Sequence, residues 1–408
     1  MTLLVITNRP LGDKTNGYDA RVWQVCQALS RRHKLILLSM RAAPTPADAA
    51  RHFPLHHIFS ATQLTAPLTR WRPSPRRHLR LSEEHFLPWG YGAFLREVSV
   101  QIDQLCARHA VQGIVVFGVD LLSLVKRFRG EKMVLLDVCD SMALTLLRAQ
   151  QGAPGWRERL ALTRWRKLEG DAPACCDHVV TINGADTATL RALSGGRTNL
   201  STLPNGVDPL WLGAYRAGRA TRRGVAFWGN LDFAPNRDAM DFFYHAVFLP
   251  FLRPAGIELC VAGGRADAWL RDAARAEPLL RLTGYVENLP ALLSDYPIMV
   301  NPMRIGSGLK NKVLEAFACG LTVVSTALGI EAIEGAAAGT THVQAESAAD
   351  FYQHIDALLA HPARRLAIEQ AARAKVLSSY TWDTVGAQWC DLVEQLQGRA
   401  PPAELKAG

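Results

Sequence analysis

Short apolar runs alternate with amphipathic stretches along most of the chain. Runs that predict buried strands stand at 3–7, 35–39, 113–118, 133–139 and 178–182. Apolar residues at helical spacing fill the intervals, for example Val22, Val25, Cys26 and Leu29. Short buried strands in alternation with helices predict a parallel sheet that is covered by helices on both faces.

The same rhythm restarts after a segment rich in turn-forming residues, LPNGVDPLW, and an arginine-rich stretch that ends at Arg223. The apolar runs of this second series are 224–229, 257–263, 280–284, 298–302 and 321–326. The helices predicted between them are 236–248, 266–275, 288–294 and 308–319. We therefore predict the α/β class, with two Rossmann-like parallel-sheet domains in tandem.

A chain of 408 residues is too long for a single core and suits two domains. We expect an N-terminal domain over 1–203, a linker over 204–222 and a C-terminal domain over 223–378. The amphipathic stretch 379–408 predicts a closing helix that packs back on the N-terminal domain. Residues 41–90, rich in proline, histidine and arginine, predict a long excursion with little regular structure.

The composition is that of an ordinary soluble protein, with 49% apolar and 20% charged residues. The N-terminus has neither a basic leader nor a long apolar core, and no stretch approaches the ~20 apolar residues of a spanning helix. We therefore expect a cytoplasmic protein. The eight cysteines follow neither a disulfide nor a zinc spacing, so we expect structural thiols and no metal site.

A formal charge of +9 requires an explanation. Five arginines stand in RWRPSPRRHLR at 70–80, and a basic segment with tryptophans follows at 156–167. An anionic membrane surface, at the inner face of the plasma membrane, and a merely solvated loop explain these runs equally well. Nucleic acid is disfavoured as a partner because no nucleic-acid-binding motif accompanies the arginines.

The stretch NPMRIGSGLKNKVLEAFACG carries the most chemistry. An apolar strand leads into a turn with Gly306 and Gly308, and the pattern predicts a helix that begins near Gly308. Glycines let the backbone approach a ligand, and a helix start offers unpaired N–H groups to an anion. Positive charge is added by Arg304, Lys310 and Lys312. The segment therefore predicts a phosphate site that needs no metal.

Glu315 lies two turns into this predicted helix. At about 100° per residue, one face of the helix carries Gly308, Asn311, Lys312, Glu315 and Cys319. The other face would pack on the sheet through Val313, Leu314, Phe317 and Leu321. A carboxylate at 315 can accept two hydrogen bonds from the vicinal hydroxyls of a ribose, so the segment indicates a nucleotide diphosphate. A surface pair of Lys312 and Glu315 is the alternative.

The run Glu-Ala-Phe-Ala-Cys-Gly at 315–320 and the pattern Arg-x-Gly-x-Gly-x-x-x-Lys from Arg304 resemble the donor-binding region of GT-B glycosyltransferases. The likeness is greatest to the large retaining family numbered four. That family often has a second glutamate where this chain has Ser307. The pattern found here resembles a branch associated with bacterial envelope and exopolysaccharide sugar transferases, as do the stretches 229–243 and 282–295.

The resemblance covers most of the chain and implies two domains that face each other across a cleft. It implies transfer of a sugar from a nucleotide diphosphate sugar to a saccharide or lipid-linked acceptor, with retention of configuration and no cofactor beyond the donor. Fixed cations and amides would stabilise the leaving diphosphate. The chain lacks the Asp-x-Asp clamp of the other glycosyltransferase fold, so we expect metal-independent chemistry.

The predicted donor-binding residues are Gly229, Asn230, Arg237, Val286, Arg304, Gly306, Ser307, Gly308, Lys310, Lys312, Glu315, Gly329 and Ile330. A helix-capping role is the alternative for Asn230. The loop with Gly12, Asp13, Lys14 and Gly17 takes the place of the family's acceptor-bordering loop, unless these are simple turn residues. Asp140 ends a strand and is predicted, with Lys312 and Glu315, to be catalytic. A role as helix N-cap is its alternative.

Two other functions stay open. A nucleotide-sugar epimerase shares the two-domain fold, although the histidines of this chain do not gather at predicted strand ends. A catalytically weak binding subunit is the second alternative, because of Ser307. A Rossmann dehydrogenase is disfavoured, since no strand is followed by Gly-x-Gly-x-x-Gly with an acidic residue about 20 positions later.

Overall fold

The computed structural model of the protein describes residues 1–8, 17–39, 57–60, 92–149, 155–217 and 223–399. The chain forms two compact units, one of Met1–Pro204 together with the segment from Val385 onward, the other of Asn205–Thr384. Each unit is built on its own parallel sheet with its own apolar core. The predicted α/β class with two parallel-sheet domains is confirmed.

The sheet of the first unit has the strand order β3-β2-β1-β4-β5-β6-β7 in the described part of the chain. Its strands are β1 Thr2–Thr7, β2 Lys34–Ser39, β3 His57–Ser60, β4 Gly113–Phe117, β5 Met133–Cys139, β6 His178–Thr181 and β7 Leu200–Thr202. Neighbouring strands pair in parallel, with Leu3↔Leu35 and Leu3↔Gly113 as examples. The central strands are fully buried because helices cover both faces of the sheet.

Strand β3 was not predicted, and it lies inside the range 41–90 for which little regular structure was expected. Its four residues pair in parallel with the residues from Ile36 to Ser39 of β2. The sequence HIFS is too short and too polar at its start for a strand to stand out from the apolar pattern. The rest of that range, with its arginines at 70–80, lies outside the described residues.

The helices of the first unit are α1 Gly17–Ser30, α2 Gly92–Arg108, α3 Leu122–Val125, α4 Met142–Ala149, α5 Trp156–Cys175 and α6 Gly184–Leu193. Helix α1 buries Val22, Val25, Cys26 and Leu29 as its spacing predicts. Short 3-10 turns flank α3 on both sides.

The sheet of the second unit has the order β10-β9-β8-β11-β12-β13 among the described strands. These strands are β8 Gly224–Trp228, β9 Glu258–Ala262, β10 Leu280–Gly284, β11 Ile298–Asn301, β12 Thr322–Ser325 and β13 Val343–Gln344. All pairs are parallel, so the loops that follow β8, β9, β10 and β11 leave from one edge of the sheet. Ligands of open parallel sheets bind at this edge.

The helices of the second unit are α7 Pro209–Gly213, α8 Ala234–Phe242, α9 Ala268–Ala276, α10 Leu289–Leu293, α11 Asn311–Cys319, α12 Ala327–Ile330, α13 Ala348–Ala360 and α14 Pro362–Ser379. The helix predicted over 236–248 is in fact α8 followed by π-helical turns over Phe243–Leu252. Helix α7 stands inside the stretch that was predicted as a linker. None of the described helices has the length and apolar character needed to cross a bilayer.

The last helix, α15 Trp382–Arg399, returns to the first unit. Trp389 is fully buried there, with its ring centroid 6.2 Å from that of Phe117. The guanidinium of Arg21 lies 5.6 Å from the Trp389 ring centroid. Arg32 of the first unit pairs with Asp391 at 3.3 Å. Helix α15 therefore completes the core of the first unit.

Candidate functional site

Helix α11 begins later than its sequence pattern predicts. Its first residue is Asn311, and the predicted start near Gly308 is wrong. Gly306 and Gly308 have φ angles of 111° and 75°, a left-handed conformation that a right-handed helix cannot include. The two glycines thus form a turn before α11. The Val313 amide already donates to the Lys310 carbonyl oxygen at 2.8 Å, so the N–H groups that the helix start can offer to an anion are those of Asn311 and Lys312.

The buried face of α11 agrees with the helical pattern. Val313, Leu314 and Phe317 are buried, and so is Leu321 just beyond the helix. Cys319 was predicted on the polar face, but it is also buried and its thiol faces the carbonyl oxygen of Ala316. Helix α11 therefore presents a narrow polar face, and that face carries Lys312 and Glu315.

Lys312 lies where the end of β8, the start of α8 and the start of α11 meet. Its Nζ donates a hydrogen bond to Asn236 Oδ1 at 2.6 Å and lies 4.2 Å from the ring centroid of Phe227. In the described part of the chain no carboxylate is within salt-bridge distance of this ammonium group. Burial lowers the pKa of Lys312 to about 7, Glu315 opposes the shift and Lys310 adds to it. An anion that enters here would restore the charged form.

Asn236 holds the lysine in place. Its Nδ2 donates to the Asn230 carbonyl oxygen at 2.8 Å, which leaves Oδ1 to accept from Lys312. A Cβ at Gly229 would come within 2.8 Å of Asn236 Nδ2 and 3.5 Å of Lys312 Nζ, so only glycine fits beside this pair. Asn236 was not predicted, because its partners are distant in sequence. Gly229 therefore lies beside the predicted phosphate-binding lysine. The side chain of Asn230 instead accepts a hydrogen bond from the Asp232 amide at 3.2 Å, as its alternative capping role would require, so its contact with the donor stays a prediction.

The loop after β9 fixes Gly229 from the other side. Gly263 has a φ of 146°, and a Cβ on it would be 1.9 Å from the Gly229 carbonyl oxygen. The Gly229 amide donates to the Ala262 carbonyl oxygen at 3.0 Å. The strand ends of β8 and β9 thus pack backbone against backbone, which keeps bulky side chains away from Lys312.

Glu315 is half-buried beside the end of β8. Its Oε2 accepts a hydrogen bond from Trp228 Nε1 at 2.7 Å. Trp228 stacks on Trp211 of α7, with ring centroids 5.6 Å apart. Burial raises the pKa of Glu315, the Trp228 hydrogen bond and Lys312 lower it, and Asp208 raises it further. Among the described residues Oε1 of Glu315 has no hydrogen-bond donor, so this oxygen can accept from a ligand hydroxyl.

The two predicted arginines have carboxylate partners. Arg304 binds both oxygens of Asp238, at 3.1 Å and 2.6 Å, and its guanidinium lies 4.7 Å from the Phe242 ring centroid. Arg237 pairs with Asp232 at 2.8 Å and with Asp267 at 3.0 Å. Either arginine would have to leave these carboxylates to bind phosphate. Their roles as donor ligands therefore stay predictions, and Lys312 is the better-placed cation.

Lys310 faces its own loop. Its Nζ donates to the carbonyl oxygens of Ser307 at 2.9 Å and Gly308 at 2.8 Å, and the side chain is buried. These hydrogen bonds satisfy two carbonyl oxygens of the turn before α11 and stabilise the conformation of the turn. The turn also packs on Pro235, which would lie 3.4 Å from a Cβ at Gly306. Lys310 thus shapes the loop in this structure.

The remaining donor predictions fall into two groups. Val286 is half-buried just past β10, next to Tyr285, whose side chain is 85% exposed. Gly329 and Ile330 were expected at a strand end but lie buried in α12. The Gly329 amide donates to Thr326 Oγ1 at 3.1 Å, so it serves the capping of α12.

In the first unit, Gly12, Asp13 and Lys14 lie outside the described residues, and Gly17 is the first residue of α1. Asp140 is exposed just past β5. The alternative in which Asp140 caps the following helix is wrong. Ser141 performs that function, because its Oγ accepts from the Leu144 amide at 3.1 Å.

Buried acidic residues that sequence reasoning missed surround the ends of β5 and β6. Asp137 forms a fully buried ion pair with Arg21 at 2.7 Å. Glu169 accepts from Ser141 Oγ and from the first amides of α4. Burial and the charge of Asp140 raise the pKa of Asp186 to about 7. Asp137 stands inside the apolar run 133–139, and no local pattern marks Glu169 or Asp186.

No group of three or more His, Cys, Asp or Glu side chains that could hold a metal ion occurs within the described residues.

Residues 222–361 match the family model described as Glycosyl transferases group 1. No curated protein sequence matches the chain.

Solved structures share the fold over nearly the whole chain. HepE of Anabaena in complex with UDP has a TM-score of 0.67 at 13% identity, covering 97% of this chain and 100% of that one. Sucrose-phosphate synthase from Thermosynechococcus elongatus has a TM-score of 0.70 at 17% identity, covering 98% and 100%. The pneumococcal O-GlcNAc transferase GtfA in complex with UDP and GlcNAc has 0.65 at 12%, covering 97% and 99%. At these identities the likeness concerns the fold, which is the GT-B fold that the sequence resemblance implies. Membership of family four and retention of configuration stay predictions.

Proposed function

We propose that this GT-B-fold chain, with its group 1 glycosyltransferase segment, transfers a sugar from a nucleotide diphosphate sugar to a saccharide or lipid-linked acceptor. The observation that carries the proposal is the placement of Lys312 and Glu315 on the polar face of α11, at the carboxyl edge of the second sheet. One offers a cation with no carboxylate partner among the described residues, and the other offers a carboxylate oxygen that can accept a hydrogen bond. A diphosphate and a ribose present these complementary groups.

The chemistry follows from where charge develops. The bond between the anomeric carbon and the donor phosphate oxygen breaks, and the nucleotide diphosphate leaves as an anion. The acceptor hydroxyl forms the new bond to the anomeric carbon, and its proton passes to the phosphate oxygen of the departing nucleotide diphosphate. Lys312 in its charged form would stabilise the leaving diphosphate, helped by the amides at the start of α11. Glu315, through one oxygen, would position the ribose while Trp228 holds the other.

Metal independence is part of this proposal because the chain lacks an Asp-x-Asp clamp, and retention of configuration comes from the family resemblance alone. A place in bacterial cell-surface polysaccharide or glycoconjugate synthesis is proposed on the same resemblance. The base of the donor is proposed to be uracil, because the structures of HepE and GtfA hold UDP. Asp140 stays the proposed polar contact to the transferring sugar, since it follows β5 and is exposed.

Calorimetric titration with UDP, GDP, ADP and dTDP tests the donor site. We expect UDP to bind, Glu315→Gln to weaken it at least tenfold and Glu131→Gln, an exposed acid of the first unit, to leave it unchanged. Lys312→Ala should lower turnover of a UDP-sugar at least tenfold. Nucleotide binding that neither variant affects would refute the assignment of this site.

The same reactions separate the alternative functions. An epimerase would convert the nucleotide sugar into its epimer without an acceptor. A binding subunit would bind nucleotide but neither hydrolyse nor transfer the sugar. Slow hydrolysis of the donor that is lost in Glu315→Gln supports the transferase.

A further inference from the structure

Asp140, the proposed contact to the transferring sugar, follows a residue with an unusual backbone conformation. Cys139 has a φ of 60°, in the left-handed region that residues other than glycine rarely adopt. The pairing of β5 with β6 shifts at the same place, since the step from Asp137 to Cys139 spans two residues on β5 and one on β6. Val138 is therefore the extra residue of a bulge, and bulges next to active sites change the direction of nearby side chains.

A fully buried carboxylate holds this conformation. Oδ1 of Asp137 accepts a hydrogen bond from the Cys139 amide at 2.8 Å, and Oδ2 accepts one from Arg21 Nε at 2.7 Å. Arg21 also donates to the Pro204 carbonyl oxygen at 3.1 Å, which fixes the guanidinium. Because the arginine holds one oxygen of Asp137, the other oxygen stays directed at the Cys139 amide.

The residue after Asp140 is held in a similar way by a second buried acid. Glu169 of α5 accepts a hydrogen bond from Ser141 Oγ through one oxygen, and from the amides of Met142 and Ala143 through the other. Ser141 and Glu169 are both fully buried. The exposed Asp140 thus stands between two fixed neighbours, and two carboxylates that solvent does not reach set the direction of its Cα–Cβ bond.

Stability alone does not account for the buried ion pair of Arg21 and Asp137. Removing two charges from water costs free energy that their attraction only partly offsets, and apolar side chains of similar volume often fill such positions equally well. The left-handed conformation of Cys139 adds a further cost. Strained backbone of this kind is concentrated at functional sites, and the residue that this geometry places is Asp140.

We propose that Asp137 and Glu169 are positioning residues for the transfer reaction, which fix the backbone on both sides of Asp140 and so determine where its carboxylate lies during sugar transfer. The inference rests on the proposed function, because both acids act through Asp140. Neither acid touches substrate, since both are fully buried. Loss of either acid should therefore lower turnover without weakening nucleotide binding, which belongs to the second unit.

Two matched variants test the role of Asp137. Both carry Arg21→Met, so that no buried charge is left without a partner, and they differ in having Asp137→Asn or Asp137→Leu. Asparagine and leucine share the branching of aspartate, but only asparagine keeps an oxygen for the Cys139 amide. Release of UDP from UDP-glucose, UDP-galactose and UDP-N-acetylglucosamine is measured. We expect the leucine variant to be at least tenfold slower than the native protein and the asparagine variant to stay within threefold of it.

Combination with Asp140→Ala separates positioning from a general loss of structure. The leucine variant and Asp140→Ala should each lower kcat. The protein with all three substitutions should be no slower than Asp140→Ala alone, because residues that act as a unit do not contribute additively. The calorimetric affinity for UDP should stay within twofold of the native value throughout. A purely structural role of Asp137 predicts losses that multiply.

Glu169 is tested with a second matched pair. Glu169→Gln keeps an oxygen for the amides of α4 and should turn over within threefold of the native protein, whereas Glu169→Leu should be at least tenfold slower. The control is Asp177→Leu, which removes a carboxylate–amide hydrogen bond of 2.7 Å to Val134 at the opposite end of β5. This control should leave turnover unchanged.

Crystal structures of the two Asp137 variants give a readout that does not need turnover. The φ of Cys139 should stay near 60° in the asparagine variant, as in the native protein. It should become negative in the leucine variant, because nothing then holds the amide in the left-handed conformation.

Any of three outcomes would overturn the proposal. The first is the same Cys139 conformation or the same turnover in the leucine and asparagine variants. The second is a loss in the leucine variant that multiplies with that of Asp140→Ala. The third is native turnover in Asp140→Ala, which would leave the two acids nothing to position. UDP binding that is insensitive to Glu315→Gln would refute the donor site instead, so the two failures are distinguishable.

Discussion

The lowered pKa of Lys312 predicts that donor binding depends on pH. In the free protein this side chain is half charged near pH 7, because burial lowers its pKa to about 7. A diphosphate diester in a nucleotide sugar has no ionisation near neutrality, so the lysine dominates the linkage. If the anion binds only the ammonium form, the apparent affinity scales with the charged fraction.

The magnitude follows from that pKa. The charged fraction is about nine-tenths at pH 6 and about one-tenth at pH 8, so the dissociation constant of a UDP-sugar should rise about tenfold. At pH 8 the complex should take up close to one proton. In the free protein the lowered pKa also makes the free energy of unfolding depend on pH. The direction is opposite to that of a lysine whose pKa is raised by an ion pair. Between pH 7 and 10.5 the unfolded chain binds more protons, so stability should rise with pH in that window.

Isothermal titration calorimetry in buffers of different ionisation enthalpy measures both quantities. Lys312→Arg should bind with a flat pH profile, because arginine stays charged throughout. Lys312→Met should bind weakly, again with a flat profile. Glu315→Gln should bind the UDP-sugar more weakly, with a dissociation constant that rises with pH as steeply as that of the native protein. An unchanged native dissociation constant between pH 6 and pH 8, or a Lys312→Arg profile as steep as the native one, would refute the reasoning.

Two further predictions concern stability. Arg21→Met leaves the carboxylate of Asp137 buried without its ion-pair partner, so urea unfolding should show a loss of about 3–5 kcal/mol, and the double variant with Asp137→Leu should recover most of it. A loss below about 1 kcal/mol in Arg21→Met would contradict this. Gly263→Ala would place its Cβ 1.9 Å from the Gly229 carbonyl oxygen, so it should lower the melting temperature and the UDP affinity together. Its matched control, Gly284→Ala, has a φ of 69° and open space around it, so it should lose only about 1–2 kcal/mol and keep UDP binding.

The sequence predicted those parts of the fold that depend on local patterns. Alternating apolar runs and helical stretches placed most strands and helices, and the apolar spacing in α11 identified the face that packs on the sheet. Strands β7 and β13 were missed because two or three residues carry no detectable period. The start of α11 was misplaced because the helical pattern continues through Gly308, whose backbone conformation is not visible in the sequence.

The candidate site shows a different limit. Lys312 and Glu315 were identified from one segment, since residues three apart on a helix lie on one face. Their partners Asn236 and Trp228 come from elements about 80 residues away. The carboxylate of Asp238, which forms an ion pair with Arg304, is also far from its partner in the sequence. Charge counted along the chain therefore overestimates the positive potential that a ligand meets.

The placement of α15 has a consequence for biosynthesis. The ribosome completes the sheet of the first unit early, yet the tryptophan that fills its interior, Trp389, emerges only after the whole second unit. Until then the apolar surface around Phe117 stays open to solvent and to chaperones. A nascent chain halted after the second unit would therefore expose an apolar surface that can aggregate. The first unit therefore reaches its complete core only when helix α15 has been synthesised and has packed against it.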